Sequence, residues 1–476
     1  MRLLAITVAL VGTTAAEVLL YKPTGPYHVT QNQHVLNHTT LDDFTAPAGS
    51  GGDGTMLLVT TYGPTLSAPQ RTRPWIDATN AAIWGSALGI PPPLLSLLVT
   101  ELQWQAPGLP STSISTSTRT CPVTPARPSI LFMPGAGMPC FAYTTYLSEL
   151  ASWGYTVYAI DHPGEPPYLE MPGDGDGGGV HSAFPPLANW TFPQLQQIYE
   201  HRLADAAALL GQGPAYLRSL AQPPSLSSSQ SPFDQADQQH ILRGGDGSSD
   251  DDADADADAD PSTTAFFVFG HSIGGAAAAG IMAQANTVAT VPGSPPLPPL
   301  LAGANLDGWF FFDIRDLHGN GSGSNRPYPD LAPAPFLLVA KQRPPRPDAT
   351  WAKFGAAQSG WLRDVGVRGA EHFDFGDLPV VVDALGVRGA AAAAGEEGEE
   401  EAEEEGVGSG LLGGIGGERM VEVVMGLVRA CVGWVEGRGL REVDAVQWGF
   451  PETWVREAKD GVVGGDGGWW VGETWS

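Results

Sequence analysis

Three features of this 476-residue chain predict an α/β fold with a mostly parallel, doubly wound sheet. Short runs rich in aromatic and β-branched residues alternate with helical segments. One such run ends in a sharp glycine-bearing turn and passes straight into small residues. The first extended segments suit antiparallel strands at an N-terminal sheet edge. With 42% hydrophobic residues the chain can fill a large core, and a sheet of this kind with insertions accommodates residues 17–476 as one domain.

The elements follow in chain order. Residues 1–16 couple one positive charge, Arg2, to a short apolar run and end in small residues near Ala16, the pattern of a secretory signal peptide. The run is roughly half the length of about twenty residues that a membrane span needs. Residues up to about 65 hold extended segments such as Met56 to Tyr62, and 75–105 is apolar and helical in part. Ser129 to Met133, a helix from Tyr143 to Trp153, and Tyr155 to Asp161 make a strand, helix and strand with parallel strands. A helix from Gln194 to Leu210 and a polar insertion over 223–263 lead to the strand before the sharp turn. Further strands are expected at Leu301 to Leu306, Pro335 to Ala340 and Asp364 to Val367. A second insertion over 389–417 precedes a last amphipathic helix, Arg419 to Glu436; the tail from Gly437 to Ser476 offers no assignment.

The formal net charge of -28 is concentrated in two places, seven aspartates between Asp250 and Asp260 and eight glutamates between Glu396 and Glu405. These Asp-Ala and Gly-Ala-Glu tracts cannot bury enough apolar surface to fold, and read as disordered acidic insertions. No glycine-turn ligand loop surrounds the aspartates, so calcium capture gains no support. The acidic balance, with 24 Lys and Arg, argues against nucleic acid as a partner. Glycosylation sequons begin at Asn37, Asn189 and Asn320, in keeping with export to the extracellular space. Cys121 and Cys140 flank one expected strand and are the candidate disulfide, whereas Cys431 reads as a buried free thiol.

The run from Thr264 to Ala279 carries Gly270-His-Ser-Ile-Gly274 between a buried strand and a helix. This is a nucleophile elbow. The turn strains the serine backbone and leaves no room for side chains at its flanks, hence Gly270 and Gly274. A serine hydroxyl needs a base and an acid to orient that base, and on α/β-hydrolase sheets they follow the serine as acid, then histidine. Only His318 and His372 follow the elbow. His318 sits in a glycine-rich surface-loop sequence, whereas His372 follows an expected strand, so His372 is the base. His271, beside the serine, points elsewhere and packs or hydrogen-bonds near the strand end. Asp307 closes an apolar run before Gly308 and is the candidate acid, ahead of Asp313 and Asp316. The backbone N–H of Ile273, after the nucleophile, and one from Pro134-Gly-Ala-Gly-Met138 are the candidate oxyanion donors.

These segments resemble the platelet-activating-factor acetylhydrolases, a lipase-like branch of the α/β-hydrolase fold. The matching stretches are Met133 to Met138, Tyr155 to His162, Gly270 to Gly275, Asn305-Leu-Asp-Gly-Trp309 and Arg368 to His372, within Lys22 to Asp377. The resemblance implies Ser272 as nucleophile, Asp307 as acid, His372 as base, and Ala136 and Ile273 as oxyanion donors. It also implies calcium-independent hydrolysis of a short or oxidised sn-2 acyl ester of a phospholipid. Pro134 stands where that family usually has histidine, and its long insertions are not typical. The chemistry calls for neither metal nor organic cofactor. A general secreted carboxylesterase or polyester hydrolase, and a non-catalytic binding protein on the same fold, remain alternatives. Transient contact with a lipid surface and the oligomeric state stay open. His162, Trp309 to Phe312 and the stretch from Pro91 to Val99 either shape an acyl pocket or pack in the core.

Overall fold

The computed structural model describes residues 16–47, 49–109, 127–172, 178–223, 265–288, 297–312, 327–341, 349–388 and 411–461. The elements that organise it run as follows. Strands β1 (His28–Thr40) and β2 (Gly54–Thr65) form an antiparallel hairpin, followed by α1 (Ala78–Leu88) and the short β3 (Gln103–Trp104). Next come β4 (Ser129–Met133), α2 (Thr144–Ser152), β5 (Val157–Asp161), α3 (Phe192–Leu210), β6 (Phe266–His271), α4 (Ile273–Val288) and β7 (Leu300–Leu306). The chain continues through β8 (Phe336–Lys341), α5 (Ala349–Ala357), β9 (Trp361–Val367), α6 (Leu378–Ala384), α7 (Gly417–Val435), α8 (Arg441–Trp448) and β10 (Thr453–Asp460).

Ten strands make one sheet in the order β10-β9-β8-β7-β6-β4-β5-β2-β1-β3. The six strands from β4 to β9 are parallel, while β2 runs antiparallel to β5 and to β1. This is the α/β-hydrolase fold, as the sequence predicts. Both faces of the sheet are covered, which explains why its inner strands read as continuous apolar runs instead of alternating ones. Phe267 and Phe269 join α2, α6 and α7 in one core layer, and Phe266 and Val268 join α3, α4 and α5 in the other. Successive side chains thus point to opposite faces, both dry.

The chain leaves β4 toward β5 and later returns across β4 to lay down β6. At such a reversal the loops at the carboxyl ends of neighbouring strands diverge and open a crevice. The loops after β4, β6, β7 and β9 all end there.

Two boundaries differ from the sequence reading. The second insertion is shorter than expected, because 411–416 is anchored. Leu412 and Ile415 are buried, Gly413 N–H donates to Asp374 Oδ2 at 2.8 Å, and Ile415 N–H donates to Gly369 O at 3.2 Å. The unassigned tail supplies α8 and the antiparallel edge strand β10, paired with β9. The residues expected to form a signal peptide apart from Ala16, Asn320 and both acidic tracts lie outside the described residues, as do Cys121, His318, Asp313 and Asp316. Cys140 and Cys431 are buried free thiols. One half of the expected Cys121–Cys140 disulfide thus lies outside the described residues; the other, Cys140, faces the core, with its backbone N–H on Asp161 Oδ1 at 2.6 Å.

Candidate active site

Strand β6 enters the elbow and α4 leaves it, with Ser272 between them at φ +54°. A non-glycine residue in the left-handed region costs on the order of 1–3 kcal/mol and persists only where its surroundings enforce it. The flanking glycines show the enforcement. A Cβ on Gly270 would lie 2.5 Å from Met133 O, and one on Gly274 would lie 2.0 Å from the same oxygen. No side chain fits at either position, so the turn can close only over bare backbone.

Asp307 follows β7, also at positive φ (+53°), and its N–H donates to Val339 O at 2.8 Å. Asn305 fastens this turn, accepting from Gly308 N–H at 2.8 Å and donating to Gly308 O at 2.9 Å. A Cβ on Gly308 would sit 1.8 Å from Ser272 O, so the loop carrying Asp307 lies directly against the Ser272 backbone. His372 comes from the loop after β9. Its Nδ1 is 2.7 Å from Asp307 Oδ2 and its Nε2 is 3.1 Å from Ser272 Oγ. The three side chains expected from chain order meet in one hydrogen-bonded line. Asp307 is buried, His372 about one-third exposed and Ser272 half-buried, so the line runs from the interior toward the surface.

The loop after β4 packs beside it. A Cβ on Gly135 would be 3.4 Å from Ser272 Cβ. Gly135 N–H donates to the Tyr143 hydroxyl at 3.0 Å, Gly137 N–H to Glu165 Oε1 at 2.7 Å, and Met138 N–H to Gly135 O at 3.0 Å. Among the described residues the N–H groups of Ala136 and Ile273 have no protein partner. Those are the two donors expected from the sequence.

His271 is fully enclosed. Burial, with the neighbouring His372, pushes its pKa well below 6.5, so the ring is neutral. Its Nδ1 is 2.7 Å from the Tyr143 hydroxyl and its Nε2 3.0 Å from the His372 carbonyl oxygen. A neutral ring serves both contacts when Nδ1 accepts from Tyr143 and Nε2–H donates to His372 O. A line of hydrogen bonds thus runs from Gly135 through Tyr143 and His271 to the backbone of His372.

Met138 and Phe373, which adjoins His372, share an apolar pocket with Trp75, Trp84, Leu88 and Phe141. Leu95, from the stretch considered for an acyl pocket, lines it too. Phe310, Phe311 and Phe312 do not; they are core residues, stacked with Phe354 and Tyr199. His162 is tied instead to Asp205, Nδ1 to Oδ2 at 2.6 Å.

Asp377 forms part of the pocket wall, fully buried, and accepts from Thr145 N–H at 3.0 Å, Thr145 Oγ1 at 2.6 Å and Trp75 Nε1 at 3.1 Å. Burial pushes its pKa from 3.8 to about 7, against those hydrogen bonds. The folded protein therefore holds a proton there that the unfolded chain releases above 3.8, and Asp377 takes stability away as pH rises toward 7. Asp377→Asn keeps the neutral form at every pH. Its stability relative to the natural protein should grow from pH 5 to pH 7, with a limiting slope of about 1.4 kcal/mol per pH unit. Thermal melts of both proteins across that range check this; a pH-independent difference contradicts it.

No protein-family model matches the chain, and no curated protein does. Among solved structures it is similar to a ferulic acid esterase from Streptomyces cinnamoneus, at 22% identity and a TM-score of 0.59, over 93% of this chain and 100% of that one. At this identity the likeness speaks to the fold. Sequence reasoning passed over two contributors to the site: Tyr143, whose hydroxyl links Gly135 to His271, and Arg202, whose Nη2 donates to Gly135 O at 3.2 Å in the loop beside Ser272. Arg202 carries a legible signal, a cation on the buried stripe of α3 beside Ile198, Tyr199 and Ala206.

Proposed function

We propose that this chain is a serine-dependent carboxylic ester hydrolase. The observation that carries the reading is the hydrogen-bonded line from Ser272 through His372 to Asp307, seated on a strained elbow. His372 takes the Ser272 proton as Oγ attacks the ester carbonyl. Asp307 holds the Nδ1–H tautomer and stabilises the imidazolium that forms. The tetrahedral oxyanion is met by the N–H groups of Ala136 and Ile273. Collapse expels the alcohol, which takes its proton from His372, and leaves an acyl-enzyme on Ser272. Water, activated by the same ring, then frees the acid.

The substrate reading we favour is a short sn-2 acyl ester of a phospholipid, supported by the resemblance of the five sequence segments to the platelet-activating-factor acetylhydrolases. A specific observation favours a second reading, an ester with an aromatic or bulky apolar group. The pocket beside His372 is walled by Trp75, Trp84, Phe141 and Phe373, and the structural neighbour is described as a ferulic acid esterase. Initial rates on sn-2 acetyl phospholipid, p-nitrophenyl acetate and methyl ferulate, with Ser272→Ala as blank, separate these. Preference for the phospholipid supports the first reading, and preference for the ferulate the second. The amino-terminal pattern and the exposed Asn37 and Asn189 support secretion and glycosylation. Expression in a eukaryotic secretory host followed by glycosidase treatment tests both: retention in the cell, or no mass change, counts against them.

A further inference from the structure

Arg202 is 1% exposed and its partner Glu165 is 3% exposed, with Nη2 to Oε1 at 2.6 Å. A buried ion pair adds little net stability, because desolvation offsets most of the attraction. What the pair grips is more informative. Arg202 Nη1 donates to Pro134 O and Nη2 donates to Gly135 O at 3.2 Å. Glu165 Oε1, which accepts from Arg202, also accepts from Gly137 N–H at 2.7 Å. Three residues of the loop after β4, Pro134, Gly135 and Gly137 on either side of Ala136, are therefore held by one buried pair.

The geometry of a trans peptide turns this grip into an orientation. Across each planar unit the C=O and the following N–H point in opposite directions. Drawing the carbonyls of Pro134 and Gly135 toward α3 turns the N–H groups of Gly135 and Ala136 away from it. The Gly135 N–H ends on Tyr143, and the Ala136 N–H is left without a protein partner among the described residues.

We propose that the Arg202–Glu165 pair is a positioning device that aims the Ala136 N–H at the developing oxyanion. This rests on the ester hydrolase reading. Arg202 touches no substrate; it acts through the peptide linking Gly135 and Ala136. The guanidinium fork is needed because one planar group must hold two successive carbonyls and a carboxylate, which a lysine ammonium on a flexible stem cannot match.

The test compares Arg202→Lys with the charge-free double variant Arg202→Met with Glu165→Met. Loss of a well-placed oxyanion donor costs about 100- to 1000-fold in kcat. A donor present but misaimed should cost about 10- to 100-fold, with KM within about threefold. The Ki of a trifluoromethyl ketone, which forms a tetrahedral oxyanion on the serine, should rise by the factor by which kcat/KM falls. A purely structural role moves the melting temperature and leaves kcat of the folded fraction unchanged. Either variant, folded and with natural kcat, overturns the proposal. A second measurement needs no variant. In amide hydrogen exchange of the natural protein, Gly135 and Gly137 should exchange slowly and Ala136 fast, and Ala136 should slow once Ser272 is phosphonylated. Fast exchange at Gly137 overturns the brace. If the natural protein hydrolyses no ester, the functional reading fails, while the exchange pattern still reports the brace.

Discussion

Ser272→Ala should lower kcat toward p-nitrophenyl acetate by about 10⁵- to 10⁶-fold, the size of loss seen when a serine hydrolase loses its nucleophile. The fold should survive. Alanine has the same Cβ at φ +54°, so the elbow's strain is unchanged, and the Ser272 N–H still donates to Leu306 O at 2.8 Å. The melting temperature should therefore stay within a few degrees, which separates lost chemistry from lost structure. Steady-state rates and a thermal melt on the same sample make the comparison. A folded Ser272→Ala protein with more than a few per cent of the natural rate would remove the serine from the mechanism.

Asp307→Asn should cost about 10⁴-fold in kcat with the backbone intact. The reason lies in the second oxygen of Asp307. Oδ1 accepts from Lys341 N–H at 3.2 Å while Oδ2 faces His372 Nδ1 at 2.7 Å. An asparagine must keep an oxygen toward the Lys341 donor, which turns its NH₂ toward His372. Nδ1 then accepts, the ring proton moves to Nε2, and the ring can no longer take a proton from Ser272. A loss confined to KM would contradict this account, since the aspartate is assigned to the chemical step and to no substrate contact.

Much of this arrangement was legible in the sequence because it depends on short-range patterns. The buried runs of β4, β5 and β6 announce themselves as continuous apolar segments, and the elbow is fixed by two glycines that the turn itself requires. Chain order then selected Asp307 and His372, and the structure brings both to Ser272. What escaped is what depends on contacts between distant segments. β10 is an edge strand with an irregular mixture of buried and exposed positions, and its only strand partner among the described residues, β9, lies about ninety residues upstream. No local signal marks that pairing. Leu412 and Ile415 look like stray apolar residues in a glycine-rich stretch until Asp374 and Gly369 are placed beside them. Tyr143 reads as a helix-start aromatic, and only the fold shows its hydroxyl linking Gly135 to His271. The pocket walls came from Trp75, Trp84 and Phe141, not from the phenylalanines after Asp307, because α1 closes over that side of the crevice while Phe310 to Phe312 turn inward against α3 and α5.

The pairing of one serine with one histidine is the claim on which everything else depends. It is tested most directly by treating the natural protein with a fluorophosphonate and measuring its intact mass, followed by peptide mapping. The account expects a single adduct, carried by the peptide that contains Ser272, with labelling abolished in Ser272→Ala and strongly slowed in His372→Ala. An adduct on another residue, or ester hydrolysis that persists when Ser272 is fully labelled, would contradict it.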